Sequence, residues 1–115
     1  MKSIIELSPI EKEIREKLIK KAENKETLFY SDLRLEQDNL QMTKLKKILN
    51  RIGEYEIQNN RPPLCAIVVR KRKVKGKRTP GKGFEKLCIE NGLLIYEGYE
   101  EDYKNKCYEE WSKKQ

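Results

Sequence analysis

Histidine is absent from this chain of 115 residues. That absence removes Ser-His-Asp and Cys-His catalysis, and every zinc site that needs imidazole. Cysteine is scarce: Cys65, Cys88 and Cys107 are odd in number, far apart, and form no C-x-x-C. They read as reduced thiols of a cytoplasmic protein, with Cys65 and Cys107 at core positions. A cysteine-only zinc site would need a fourth ligand from Asp or Glu at a spacing the chain does not offer, so neither metal nor cofactor is expected. No apolar run approaches a membrane span, and Met1-Lys2-Ser3-Ile4-Ile5 is too short for the apolar part of a signal peptide, so no membrane association is expected. No repeat or linker divides the chain, which is expected to form a single domain over residues 1–115 with a modest core.

Acid is missing from one stretch in particular. Arg70 to Lys82 reads RKRKVKGKRTPGK, eight basic residues in thirteen. The whole chain holds 26 Lys and Arg against 19 Asp and Glu, so outside this run 18 cations face 19 anions, a net of −1. One cationic arm on a nearly neutral body points to a polyanion, because phosphate binding is electrostatic and releases counterions. The plain alternative is a solvated loop.

The rest of the chain shows clear periodicity. Ser8-Pro9-Ile10-Glu11 combines a capping box with proline at the first helical position. Ile10, Ile14, Leu18 and Ala22, widened by Ile19, predict one buried face on a helix to about Glu23. Thr27–Tyr30 reads as a short strand, and Ser31 as the cap of a short helix. Thr43 is the expected cap of a longer helix to about Gln58, with Leu45, Ile48, Leu49, Ile52 and Ile57 inward. Gly53 weakens that helix by about 1 kcal/mol, and Pro62-Pro63 stops it. Leu64–Val69 is a continuous β-branched run that reads as the best-buried strand. The basic run is expected to prolong it, with Arg70, Arg72 and Val74 on one face and Lys71, Lys73 and Lys75 on the other, before turning at Gly76 or Pro80-Gly81. Phe84–Asn91 reads as a short helix closed by Gly92, and Leu93–Tyr96 as a second strand. Tyr99, Tyr103, Cys107 and Trp111 recur every four residues, an aromatic stripe of core-packing type on a C-terminal helix.

These elements predict an α+β fold of winged-helix type: a helical bundle, a small antiparallel β-hairpin wing and a C-terminal helix. In that arrangement one helix enters the major groove and the wing touches backbone or minor groove. The helix from Thr43 to Gln58 would be the reader, through Lys44, Lys46, Lys47 and Arg51, with Gln41, Asn50 and Gln58 available to base edges. The wing would contribute Arg70, Lys71, Arg72, Lys73, Lys75, Lys77, Arg78 and Lys82. Within the wing, Gly76–Gly83 reads GKRTPGKG. It matches G-x-x-x-x-G-K but has glycine where a phosphate-binding loop needs Ser or Thr for Mg²⁺.

Two resemblances add to this reading. Tyr30-Ser31-Asp32-Leu33, Arg61-Pro62-Pro63-Leu64-Cys65-Ala66-Ile67-Val68-Val69, Pro80-Gly81-Lys82-Gly83-Phe84 and Tyr108-Glu109-Glu110-Trp111 together resemble a recurrent set of small prokaryotic winged-helix-like domains, which lends no activity. The order of Y-x-D-L, helix, Cys-x-x-Val-Val and a glycine-rich turn is remotely similar to the DNA-binding domain of alkylguanine transferases and alkyltransferase-like proteins. There the nucleophile lies in a P-C-H-R-V-V block; here Cys65 and both valines stand without the His and Arg, and Leu64 replaces the proline. The resemblance implies winged-helix architecture, with Cys65 structural.

The expected function is therefore non-enzymatic binding of nucleic acid, duplex DNA first. The alternative is an accessory subunit whose basic arm docks an acidic protein partner or RNA. A further alternative is a lesion binder of alkyltransferase-like type. Glu97, Glu100, Glu101, Asp102, Glu109 and Glu110 crowd the C-terminal segment and would either repel DNA there or cover the wing.

Overall fold

Ser8 opens the first helix through a complete capping box. Its Oγ accepts from the Glu11 amide (3.3 Å), while its own amide donates to Glu11 Oε1 (2.8 Å). The structure, a computed structural model, describes residues 4–112. Over these it is α+β and mostly helical, with a small parallel sheet. Helix α1 (Pro9–Glu23) is followed by β1 (Leu28–Phe29), α2 (Tyr30–Glu36) and α3 (Met42–Gln58). A 3₁₀ turn over Leu64–Ile67 leads into β2 (Val68–Val69). Then come β3 (Lys73–Val74), β4 (Lys77–Arg78), α4 (Lys82–Glu90) and α5 (Tyr99–Ser112).

The α1 face is narrower than its four-residue repeat suggests. Ile14, Leu18, Ile19 and Ala22 are buried, but Ile10 is exposed and Glu11 takes the inward place instead. Its carboxylate is satisfied there by the Ser8 amide and by Arg51 Nε at 2.7 Å, which makes burial tolerable. Two caps also differ from expectation. Helix α2 starts at Tyr30, so Ser31 lies inside its first turn, and α3 starts at Met42 after Gln41 rather than at Thr43, with no side-chain cap.

The buried run Leu64–Val69 is strand only at its last two residues, which pair in parallel with β1 (Leu28 with Val68, Phe29 with Val69). The reason is backbone hydrogen bonding. The segment is enclosed by α1, α3 and α5, and β1 offers only two residues to pair with. Leu64–Ile67 therefore satisfies its amides locally, as Ala66 N donating to Pro63 O (3.0 Å) and Val68 N to Cys65 O. The sheet of the body is thus parallel, where an antiparallel wing continuous with the buried strand was expected. The chain bends at Lys71 and Arg72, so the expected continuous strand with Arg70, Arg72 and Val74 on one face does not form. Antiparallel pairing is confined to two residues on each side, Lys73 with Arg78 and Val74 with Lys77.

Leu93–Tyr96 is not a strand. Gly92 (φ +75°) ends α4, with Leu93 N returning to Cys88 O at 2.8 Å. The Leu94 carbonyl is then taken by the Tyr103 hydroxyl (2.6 Å) instead of a neighbouring strand. Phe84, Tyr96, Tyr99 and Tyr103 form an aromatic cluster there with ring centroids 6.1–6.5 Å apart. The C-terminal stripe lies as expected: Tyr103, Cys107 and Trp111 are buried, and α5 packs on α1 and on the 3₁₀ turn.

Gly53 has a packing role in the middle of α3. A Cβ built there would stand 2.5 Å from Leu87 Cδ2 and 2.9 Å from Cys65 Sγ, so any larger residue would have to displace these side chains where α3 meets α4. Beside it, Glu56 is completely buried. It accepts from Arg15 Nε and Arg61 Nε, each at 2.7 Å, and from Arg15 Nη2 at 3.3 Å. Both guanidiniums also lie over the Tyr55 and Trp111 rings, 5.2–5.8 Å from the centroids. This network joins α1, α3 and α5, and nothing in the periodicity of the chain announces it.

Candidate nucleic-acid interface

The hairpin turns on Lys75 (φ +52°) and Gly76 (φ +78°). Two central residues of positive φ characterise the type I′ turn that suits a two-residue hairpin loop. Gly76 adopts this conformation freely, and Lys75 is one of the few non-glycine residues among those described to share it. Arg70, Lys71, Arg72, Lys73, Lys75, Lys77, Arg78 and Lys82 are all exposed. Among the described residues no ion pair joins any of them to a carboxylate. Lys73 stands directly opposite Arg78 in the ladder. Like charges facing each other across strands are destabilising until an anion screens them.

The hairpin is tied to the body at its base. Arg70 N donates to Thr79 O (3.1 Å), and Arg78 Nε donates to Lys71 O (3.2 Å). Lys71 Nζ and Arg78 Cζ lie 5.5 and 5.4 Å from the centre of the Phe29 ring, so the end of β1 carries a cation–π seat for both. After Arg78 the chain passes through buried Pro80 to Gly81, whose amide points at the Tyr30 hydroxyl (3.4 Å). Burial lifts the Tyr30 phenol above its ordinary value, so the hydroxyl stays neutral at physiological pH.

The α3 cations divide between two sides. Lys44, Lys46 and Lys47 are exposed, but only Lys46 faces the hairpin side. Arg51 points the other way and is engaged as a strap, with Nε on Glu11 Oε2 (2.7 Å) and Nη2 on the Glu6 carbonyl (3.0 Å). Gln58 is likewise occupied, accepting from the Ile5 amide at 3.0 Å. Asn50 is half-buried and faces Gly83. The helix therefore does not present its polar residues as one continuous reading face.

What the fold does bring together is a cleft at the hairpin base. Lys46 from α3 meets Arg70 and Lys71 around a cavity of about 370 Å³, walled by Phe29, Tyr30, Ser31, Met42 and Gly81. Among the described residues no acidic side chain lines it. A narrower recess continues inward past Leu49, Asn50 and Phe84 to Cys65. Sequence reasoning missed this cleft because Lys46 lies 24 residues from Arg70 and the walls come from three elements. The Tyr30-Ser31 and Pro80-Gly81 blocks, singled out for a resemblance, were the available signal.

Comparison with protein-family models, curated proteins and solved structures finds no match. Function must therefore be read from charge and geometry. The three thiols are buried, Cys88 with Cys65 and Cys107. Burial pushes the Cys88 thiol up to about 11 and raises Cys65 and Cys107 as well, the reverse of what an activated nucleophile needs. Gly76–Gly83 runs from the hairpin turn through β4 into the first two residues of α4, and the strand it contains belongs to the antiparallel hairpin rather than to the parallel sheet that a phosphate-binding loop would require. On the acidic side, Glu101 shares a shallow depression with Lys73, Lys77 and Arg78, but its carboxylate is held by Lys104 at 2.9 Å. Among the described residues no helix is long and apolar enough to cross a membrane.

Proposed function

We propose that this domain binds nucleic acid, duplex DNA first, without catalysing a reaction on it. The hairpin acts as a wing against the phosphate backbone, with Lys46 beside it as the contribution of α3. The observation that carries this reading is the unpaired cationic hairpin. The eight basic residues from Arg70 to Lys82 are exposed and lack a carboxylate partner among the described residues, and two of them, Lys73 and Arg78, face each other across the short ladder, while Lys82 opens α4. A solvated loop needs no such arrangement, whereas a phosphate backbone relieves the repulsion and releases its own counterions. The raised thiols support binding over alkyl transfer, since Cys65 has neither a base nor a cation to make it a thiolate.

The test replaces Lys71, Arg72, Lys73, Lys75 and Lys77 with Ala. The slope of log affinity against log salt for a short duplex should fall by about 0.9 for each phosphate that the variant no longer neutralises. The melting temperature should change little, because all five side chains are exposed and the lost Lys71–Phe29 contact is offset by relief of the Lys73–Arg78 repulsion. Equal duplex affinity for variant and parent at matched salt would refute the wing.

A further inference from the structure

We infer that the cleft at the hairpin base receives one unpaired nucleotide, so that the domain prefers a junction where duplex gives way to single strand. This inference rests on the nucleic-acid reading and adds the part of the ligand that enters the cleft. The cavity of about 370 Å³ lies at the lower end of small-ligand sites, roughly 300–1,000 Å³. It is too small for a base pair and suited to a single base with its sugar. Its chemistry is two-sided. Tyr30 and Met42 give an apolar wall that a bare phosphate would not use, while Lys46, Arg70 and Lys71 give a cationic rim that a neutral apolar ligand would waste. A nucleotide uses both, with its ring on the wall and its phosphate on the rim.

Position gives the junction. Arg70 and Lys71 belong both to the rim of the cleft and to the base of the hairpin, where Lys71 is seated on Phe29 and Arg70 is bonded to Thr79. A backbone running along the hairpin therefore passes the mouth of the cleft. While bases are paired they cannot leave the stack without losing pairing and stacking energy. The first unpaired nucleotide of a tail enters without that loss.

The experiment uses the full chain and fluorescence anisotropy at one salt concentration, with a blunt duplex and the same duplex carrying a short thymidine tail. The tailed probe should bind about tenfold tighter, the scale of one stacked base. The ratio of the two affinities should fall to about one in Met42→Trp, which fills the cavity. Equal binding of the two probes by the parent overturns the cleft assignment and leaves the nucleic-acid reading standing. Failure of both probes to bind at low salt overturns the nucleic-acid reading, and the inference with it. If Met42→Trp lowers the melting temperature, photocrosslinking of the parent by 4-thiothymidine at the first tail position decides instead. Label on Tyr30 or Met42 supports the cleft, and label confined to the hairpin refutes it.

Discussion

Replacing Glu56 with Gln tests whether one buried carboxylate holds three helices together. The side chain is fully enclosed and accepts three hydrogen bonds from Arg15 and Arg61. The Arg61 amide also donates to the Glu56 carbonyl at 2.9 Å, which fixes the turn after α3. Gln keeps the shape but removes the charge, and it sets an amide NH₂ against a guanidinium that has nothing to accept with. Breaking a buried ion pair by removing one partner costs about 3–5 kcal/mol. The Arg15 and Arg61 side chains are 18% and 23% exposed, so water recovers part of that and the lower end, about 3 kcal/mol, applies. That is a large share of the roughly 5–15 kcal/mol that stabilises a typical small domain. With a urea slope of about 1.5 kcal/mol/M, the unfolding midpoint should fall by about 2 M. Far-ultraviolet circular dichroism follows the helices. Fluorescence of Trp111, whose ring lies 5.4 and 5.8 Å from the two guanidiniums, follows the network itself. A destabilisation below about 1 kcal/mol at unchanged slope would refute the reasoning, because it would mean that the two arginines are already solvated without Glu56.

Other expectations can be checked on the same footing. Gly53→Ala gains about 1 kcal/mol of helix propensity but must displace Leu87 and Cys65, and overpacking of a core costs about 1–3 kcal/mol. Thermal melting should therefore show net destabilisation, and a raised melting temperature would refute the close α3–α4 approach. Trp111→Ala should cost about 3–5 kcal/mol; in the parent, a blue-shifted emission should be unchanged by oligonucleotides, whereas quenching by single strands at constant fold would assign the ring to the ligand. Stability should also fall in alkali. The folded state raises the Cys88 thiol from 9.0 to about 11, so it holds a proton that the unfolded chain releases. That contribution is complete below about pH 9 and is lost as pH rises through about 11, with the buried Cys65 and Cys107 acting in the same direction. Urea midpoints at about pH 8 and about pH 10.5 measure it, and a midpoint that rises with pH would contradict the burial of these thiols.

What was legible in the sequence is whatever depends on neighbours within a turn or two. Ser8, Pro9 and Glu11 place the start of α1 because capping is an interaction between residues three apart. The aromatic stripe from Tyr99 to Trp111 locates the buried face of α5, since a helix brings every fourth residue to one side. The charge of residues 70–82 is a matter of composition, and Gly76 marks its turn. Tertiary structure decided the rest. Leu64–Ile67 has strand-like side chains but lacks a neighbouring strand of sufficient length, so its amides close a 3₁₀ turn instead. Arg51 has the look of a reading residue on α3, yet its partner Glu11 is 40 positions away and draws it to the opposite side. Glu56 and Gly53 read as one more charge and one more weak point in an amphipathic helix. Only the arrival of α1, α4 and the segment after Pro63 turns them into a buried ion network and a close crossing. The cleft follows the same rule: Tyr30, Lys46 and Arg70 meet because the parallel pairing of β1 with β2 sets the start of α2 and the base of the hairpin side by side, an encounter between segments about 40 residues apart that no local pattern encodes.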